Sequence, residues 1–119
     1  MGQRRIFMTL MRAELEDCIE GLEHLSEILG DRFSKNEITN YVFSENSALL
    51  AREISGLRSL VPVLGGIKSG DFPDVYALAR HTEKTLLDAA REWENPEAIN
   101  GIIARKIRKI LTYILDLPE

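Results

Sequence analysis

The strongest constraint in this sequence is a spacing. Met11, Leu15, Cys18, Leu22, Leu25 and Leu29 step by 4, 3, 4, 3 and 4 residues. Val75, Ala79, Thr82, Leu86, Ala89 and Trp93 repeat the same steps. Steps of three and four keep side chains on one face of a helix, so each run predicts an amphipathic helix. Ile99, Ile103, Ile107, Ile110, Ile114 and Leu117 form a third stripe, and Ile38 to Val61 carries a fourth with a polar gap at Ser44–Ser47. No segment alternates with period two over a strand's length.

Local signals place the ends. The first helix is expected from about Thr9 to Leu29, with Gly30 as its C′ residue. Ser34-Lys35-Asn36-Glu37 fits a capping box and predicts the start of the second. The second is either one long helix or two, with a break near 44–47. Pro62 is expected to end or kink it. Residues 62–71 read as a Gly-rich loop, and Gly65-Gly66 as a turn without the Lys-Ser/Thr of a phosphate loop. Asp71 is expected to cap the third helix, with Pro73 in its first turn. Asn95 and Pro96 supply the N-cap and N1 of the fourth, which runs to about Leu115. Short connections make neighbours antiparallel, so residues 1–119 are expected to form one all-α domain, an up-down antiparallel four-helix bundle.

Composition narrows the function. Of 119 residues, 45% are hydrophobic and 29% charged, the balance of a globular domain. The net charge of −4 argues against a general nucleic-acid binder. No run reaches the length of a membrane span, and the apolar stretch after Arg4-Arg5 is too short for a signal peptide. A cytoplasmic protein without membrane attachment is expected. Met1 and the Leu117-Pro118-Glu119 end favour a stand-alone product over a kinase fragment.

Cys18 is the sole cysteine, which excludes an internal disulfide, and it sits on an apolar stripe as a small core residue. Glu20, Glu23, His24 and Glu27 lack the inward carboxylate partners of a di-iron bundle, so neither metal nor cofactor is expected. The first helix is acidic, with Glu14, Glu16, Asp17, Glu20, Glu23 and Glu27. The last is basic, with Arg105, Lys106, Arg108 and Lys109. These read first as solvated faces of neighbouring helices that attract weakly, and second as a basic docking strip.

One block carries more information. Residues 52–65 read Arg-Glu-Ile-Ser55-Gly-Leu57-Arg58-Ser59-Leu-Val-Pro-Val-Leu64-Gly65. The spacing resembles the signature of histidine-containing phosphotransfer domains, in particular the phosphoacceptor domain of chemotaxis-type histidine kinases. Leu57, Leu64 and Gly65 match. Ser55 stands at the acceptor His position, Arg58 at the Lys position and Ser59 at the first Gly position. Leu78 to Arg91 resembles the next helix of that family. There His81, Leu86, Leu87, Asp88 and Arg91 match, while Lys84 stands where the family has Glu. The resemblance covers most of the chain, and only residues 31–45 have no counterpart.

The resemblance implies a phosphorelay module whose chemistry is altered. Family members present a surface imidazole that attacks an aspartyl phosphate on a response regulator, and the neighbouring Glu holds the ring's other nitrogen. A serine without an adjacent base is a poor nucleophile, and Lys84 has the wrong charge to orient an imidazole. Acceptor and orienting group are lost together. The leading expectation is therefore a binding module without phosphotransfer activity, not an enzyme. Its partner would be a response regulator receiver domain or a histidine kinase. The docking face would comprise Arg52, Ser55, Arg58, Ser59, His81 and Lys84.

Two alternatives remain. His81-Thr-Glu-Lys84 has a His-x-x-Lys spacing that puts both side chains on one face, so His81 could be an unorthodox phosphoacceptor. The chain could instead be a helical assembly protein outside phosphorelays, anchored by Tyr41, Phe43 and Phe72. Monomer and homodimer are both compatible with the sequence.

Overall fold

The computed structural model describes residues 2–92 and 96–117. Four helices make up the fold: α1 (Gln3–Ser34), α2 (Asn40–Gly65), α3 (Val75–Ala90) and α4 (Pro96–Leu115). No strand occurs among the described residues. Each helix packs on the next in sequence, and α4 closes the ring on α1. This is the expected four-helix bundle. Phe33 stacks on Phe43, and Glu23 pairs with Arg58, so residue numbers rise on α1 as they fall toward the start of α2. The two helices are thus antiparallel.

The core overlaps the four expected stripes without coinciding with them: Phe7, Ile19, Leu60 and Leu64 join it, while Leu22, Ile54 and Val61 are only half-buried and Leu25 is exposed. Phe7, Met11, Leu15 and Ile19 of α1 are buried, as are Leu57, Leu60 and Leu64 of α2. From α3 come Val75, Leu78, Ala79, Leu86 and Ala90, and from α4 Ile99, Ile103, Ile107, Ile110 and Ile114. Cys18 is half-buried against this cluster. Trp93 and Asn95 lie outside the described residues.

Several helix ends differ from the sequence expectation. α1 does not stop at Gly30. It continues to Ser34, since a helical glycine costs only about 1 kcal/mol relative to alanine. The left-handed residue that follows is Asn36, with φ 59°. Asn tolerates that region better than other side chains. The Ser34 capping box is therefore not used. Thr39 caps α2 instead, its hydroxyl accepting from the Val42 N–H at 3.1 Å. α2 runs unbroken through Ser44–Ser47. Pro62 sits within its last turn, and the helix closes only when the Gly66 N–H reaches the Pro62 and Val63 carbonyls. Asp71 belongs to a short 3-10 turn at Ser69–Asp71, and Asp74 is the cap of α3, accepting from the Ala77 N–H at 2.8 Å. Pro73 thus precedes the cap rather than entering the first turn.

The helices are unequal. At 1.5 Å per residue, the 32 residues of α1 span about 48 Å and the 26 of α2 about 39 Å. The 16 residues of α3 span about 24 Å and the 20 of α4 about 30 Å. The far half of the α1–α2 hairpin therefore extends past the other pair, and the molecule measures 54 × 31 × 19 Å.

One core position carries a polar atom. Thr82 is fully buried, and its hydroxyl has no hydrogen-bond partner. An unpaired buried hydroxyl costs roughly 1–3 kcal/mol. Thr82→Val keeps the shape and removes the hydroxyl, so it is expected to raise stability by about 1 kcal/mol. Urea denaturation checks this, and a lower midpoint would contradict it.

Candidate functional site

All six residues of the expected docking face are exposed. Three of them line two grooves. Ser55 and Arg58 line a groove between α1 and α2, whose opposite wall holds Glu23, Ser26 and Glu27. Lys84 lines a separate groove along α3 with Arg80, Glu83, Asp88 and Arg91. Arg52 and Ser59 are exposed on α2. The Ser59 hydroxyl donates to the Gly56 carbonyl of its own helix at 2.7 Å.

Ser55 sits at mid-helix, facing solvent, where the family resemblance puts an acceptor. Arg58 follows three residues on. Its guanidinium pairs with Glu23 across the groove at 3.0 Å. The two side chains are 60% and 45% exposed, so the pair contributes less than about 1 kcal/mol. A carboxylate or phosphate from a partner can replace Glu23 at low cost. Two carboxylates on the opposite wall disfavour a phosphoryl group resting in the groove by itself. Glu23 and Glu27 give the site an acidic character that the α2 block alone did not reveal.

His81 is exposed on α3. Its ring packs on Phe72, with centroids 4.7 Å apart, and its Nε2 lies 3.3 Å from the Thr85 hydroxyl. Phe72 is thereby half-buried, and its carbonyl accepts from Arg4 of α1. It is not the exposed anchor expected from the sequence. Phe43 is likewise half-buried, stacked on Phe33 with centroids 4.3 Å apart. Tyr41 alone of the three is open, at 73% exposure.

The charged faces of α1 and α4 meet. Lys106 and Lys109 each approach Glu14 at 2.8 Å, on different carboxylate oxygens. The hydrogen bond from Lys106, then that from Lys109, holds the Glu14 carboxyl below its ordinary value. The same contact raises Lys106 above its own. Two of the four cations proposed for a docking strip are thus committed inside the molecule. Among the described residues, no group of three or more His, Cys, Asp or Glu could hold a metal ion. His24 pairs loosely with Glu27 at 3.9 Å, and Glu23 is taken by Arg58.

The hairpin carries a further surface. Leu25, Ile28, Val42 and Leu49 are large apolar side chains left 36–51% exposed on the far half of the hairpin. The signal was present in the spacing, because the α1 stripe continues to Leu29. Ending α1 at Gly30 hid how far the hairpin outruns α3 and α4.

Comparison with known proteins adds no relative: no family model, curated protein or solved structure matches the chain. No helix among the described residues is long and apolar enough to cross a membrane.

Proposed function

We propose that this chain is a phosphotransfer-like bundle that has lost its phosphoacceptor and acts by binding a receiver domain or a histidine kinase. One observation carries the reading: Ser55 faces solvent at the middle of α2 with Arg58 beside it, and no imidazole lines their groove. The surface for recognition is kept and the nucleophile is not. Arg58 offers a planar, permanently charged donor to an anionic partner surface once Glu23 is displaced. The module would sequester its partner or compete with a working phosphotransfer protein. As a module of signal transduction, it would need no cofactor.

Titration calorimetry against receiver and kinase domains from the source organism tests this. Arg58→Glu is expected to weaken binding about tenfold or more, because it places a like charge against the partner's anionic face. Wild-type affinity in that variant would remove Arg58 from the interface.

Phosphotransfer through His81 is a second reading, favoured by the exposure of its ring. Against it stands the Thr85 contact, which supplies no carboxylate to raise the basicity of the imidazole. A helical assembly role is a third, and the open apolar face of the hairpin favours it.

A further inference from the structure

The far half of the α1–α2 hairpin carries a groove walled by Leu25, Ile28 and Leu29 of α1 and by Leu49 and Leu50 of α2. Arg32 and Asn46 complete its lining. This face continues the core stripe. Leu25 and Leu29 follow Met11 and Leu15 in the same helical register, and Leu50 lies seven residues before the buried Leu57. Nearer the chain's N-terminus, the stripe is covered by α3 and α4. Beyond their reach it is open, with Leu25 51% exposed. A contiguous apolar face of this kind marks an interaction site.

We infer that this face pairs with the same face of a second copy of the chain, around a twofold axis perpendicular to the hairpin. The inference deepens the assembly reading and does not depend on the phosphorelay reading. Three observations select a second copy. First, a two-helix face is completed by two more helices, and another hairpin supplies them, restoring the four-helix cross-section found elsewhere in the molecule.

Second, the charges fit a twofold. Arg32 lies two residues before the end of α1, about 3 Å from the hairpin tip. Glu53 lies thirteen residues after the start of α2, about 20 Å from the tip. It shares the stripe of Asn46, seven residues earlier. The midpoint falls about 11 Å from the tip. Ile28 and Asn46 stand at about 9 Å, and Leu25 and Leu49 at about 14 Å, so the midpoint is also the centre of the apolar patch. A twofold there sets each Arg32 level with Glu53 of the other copy, diagonally across the four-helix cross-section. It also brings the two Asn46 side chains close to the axis, where a lone polar residue in an apolar seam fixes register.

Third, the size fits. Two helices give a face about 20 Å wide, and the open stretch is about 20 Å long. That is the low end for a specific interface and predicts a reversible dimer of micromolar affinity.

Sedimentation velocity on the full chain from about 1 to 300 μM tests the inference across the affinity range expected for so small an interface. The expected result is a mass rising from the 13.5 kDa monomer toward twice that value. Leu25→Asp should weaken the dimer at least about tenfold, and circular dichroism should show the fold intact, since the side chain is half exposed. Arg32→Glu and Glu53→Arg should each weaken it, and the double variant should recover most of the loss. Three results would overturn the inference. The first is a monomer at every concentration, which would leave the face to a different protein. The second is a dimer indifferent to Leu25→Asp. The third is a double variant no better than the singles, which would remove the proposed twofold register.

Discussion

Leu60→Ala is expected to destabilise the protein by about 3 kcal/mol, whereas Leu25→Ala should cost less than about 1 kcal/mol. Both leucines lie in amphipathic helical segments, but only Leu25 falls on an expected stripe. Leu60 is fully buried where all four helices are present, so truncation leaves a cavity among Leu57, Leu78 and their neighbours. Leu25 is 51% exposed on the part of the hairpin that α3 and α4 do not reach. Truncation there removes little buried surface. Chemical denaturation of dilute protein, where any dimer is dissociated, checks the pair. Equal costs would mean that the far hairpin is packed as tightly as the core.

The second large effect concerns Glu14. Glu14→Gln is expected to destabilise by roughly 1–2 kcal/mol at pH 7, between the values for exposed and buried pairs. Glu14 is only 17% exposed, and Lys106 is 28% exposed. Removing the carboxylate leaves Lys106 partly buried without its counter-charge. The pH dependence follows from the direction of each shift. A carboxyl lowered in the folded state contributes stability that is fully present above its unfolded value of about 4.3. That contribution fades as the pH falls through the folded value. Lys106 is raised, so its share is present below about pH 10.4 and is lost at higher pH. Wild type and variant should therefore differ at pH 7 and converge toward pH 3. Urea midpoints at the two pH values test this, and a difference that persists undiminished at pH 3 would show that packing, not charge, carries the effect.

The fold was legible because helical periodicity survives wherever a stripe is buried on one side. Every isoleucine expected on the inner face of α4 from Ile99 to Ile114 is buried. Helix ends were less legible, because competing signals were close in energy. Gly30 and Ser34 offered a plausible stop and start. The Schellman-like preference for glycine lost to continued pairing of α1 with α2, and Thr39 proved the better-placed cap. Asp71 and Asp74 are both competent caps, and the 3-10 turn at Ser69–Asp71 gave the role to the later one.

The candidate site was legible only along each helix. Spacing showed that Ser55 and Arg58 lie one turn apart. It could not show that Glu23, thirty-five residues earlier in the chain, closes the groove on Arg58. Nor could it show that Phe72 covers one face of His81. Contacts between helices depend on rotation and offset, which a periodic stripe leaves undetermined to within a turn.

The proposed function separates binding from chemistry. A competitive transfer assay measures the difference most directly. A receiver from the source organism is phosphorylated with label and mixed with an authentic phosphotransfer domain and increasing amounts of this chain. The account predicts that this chain stays unlabelled while labelling of the authentic domain falls in proportion to the receiver it occupies. Acid-labile label on this chain that vanishes in His81→Ala would contradict it, as would transfer to the authentic domain that no amount of this chain slows.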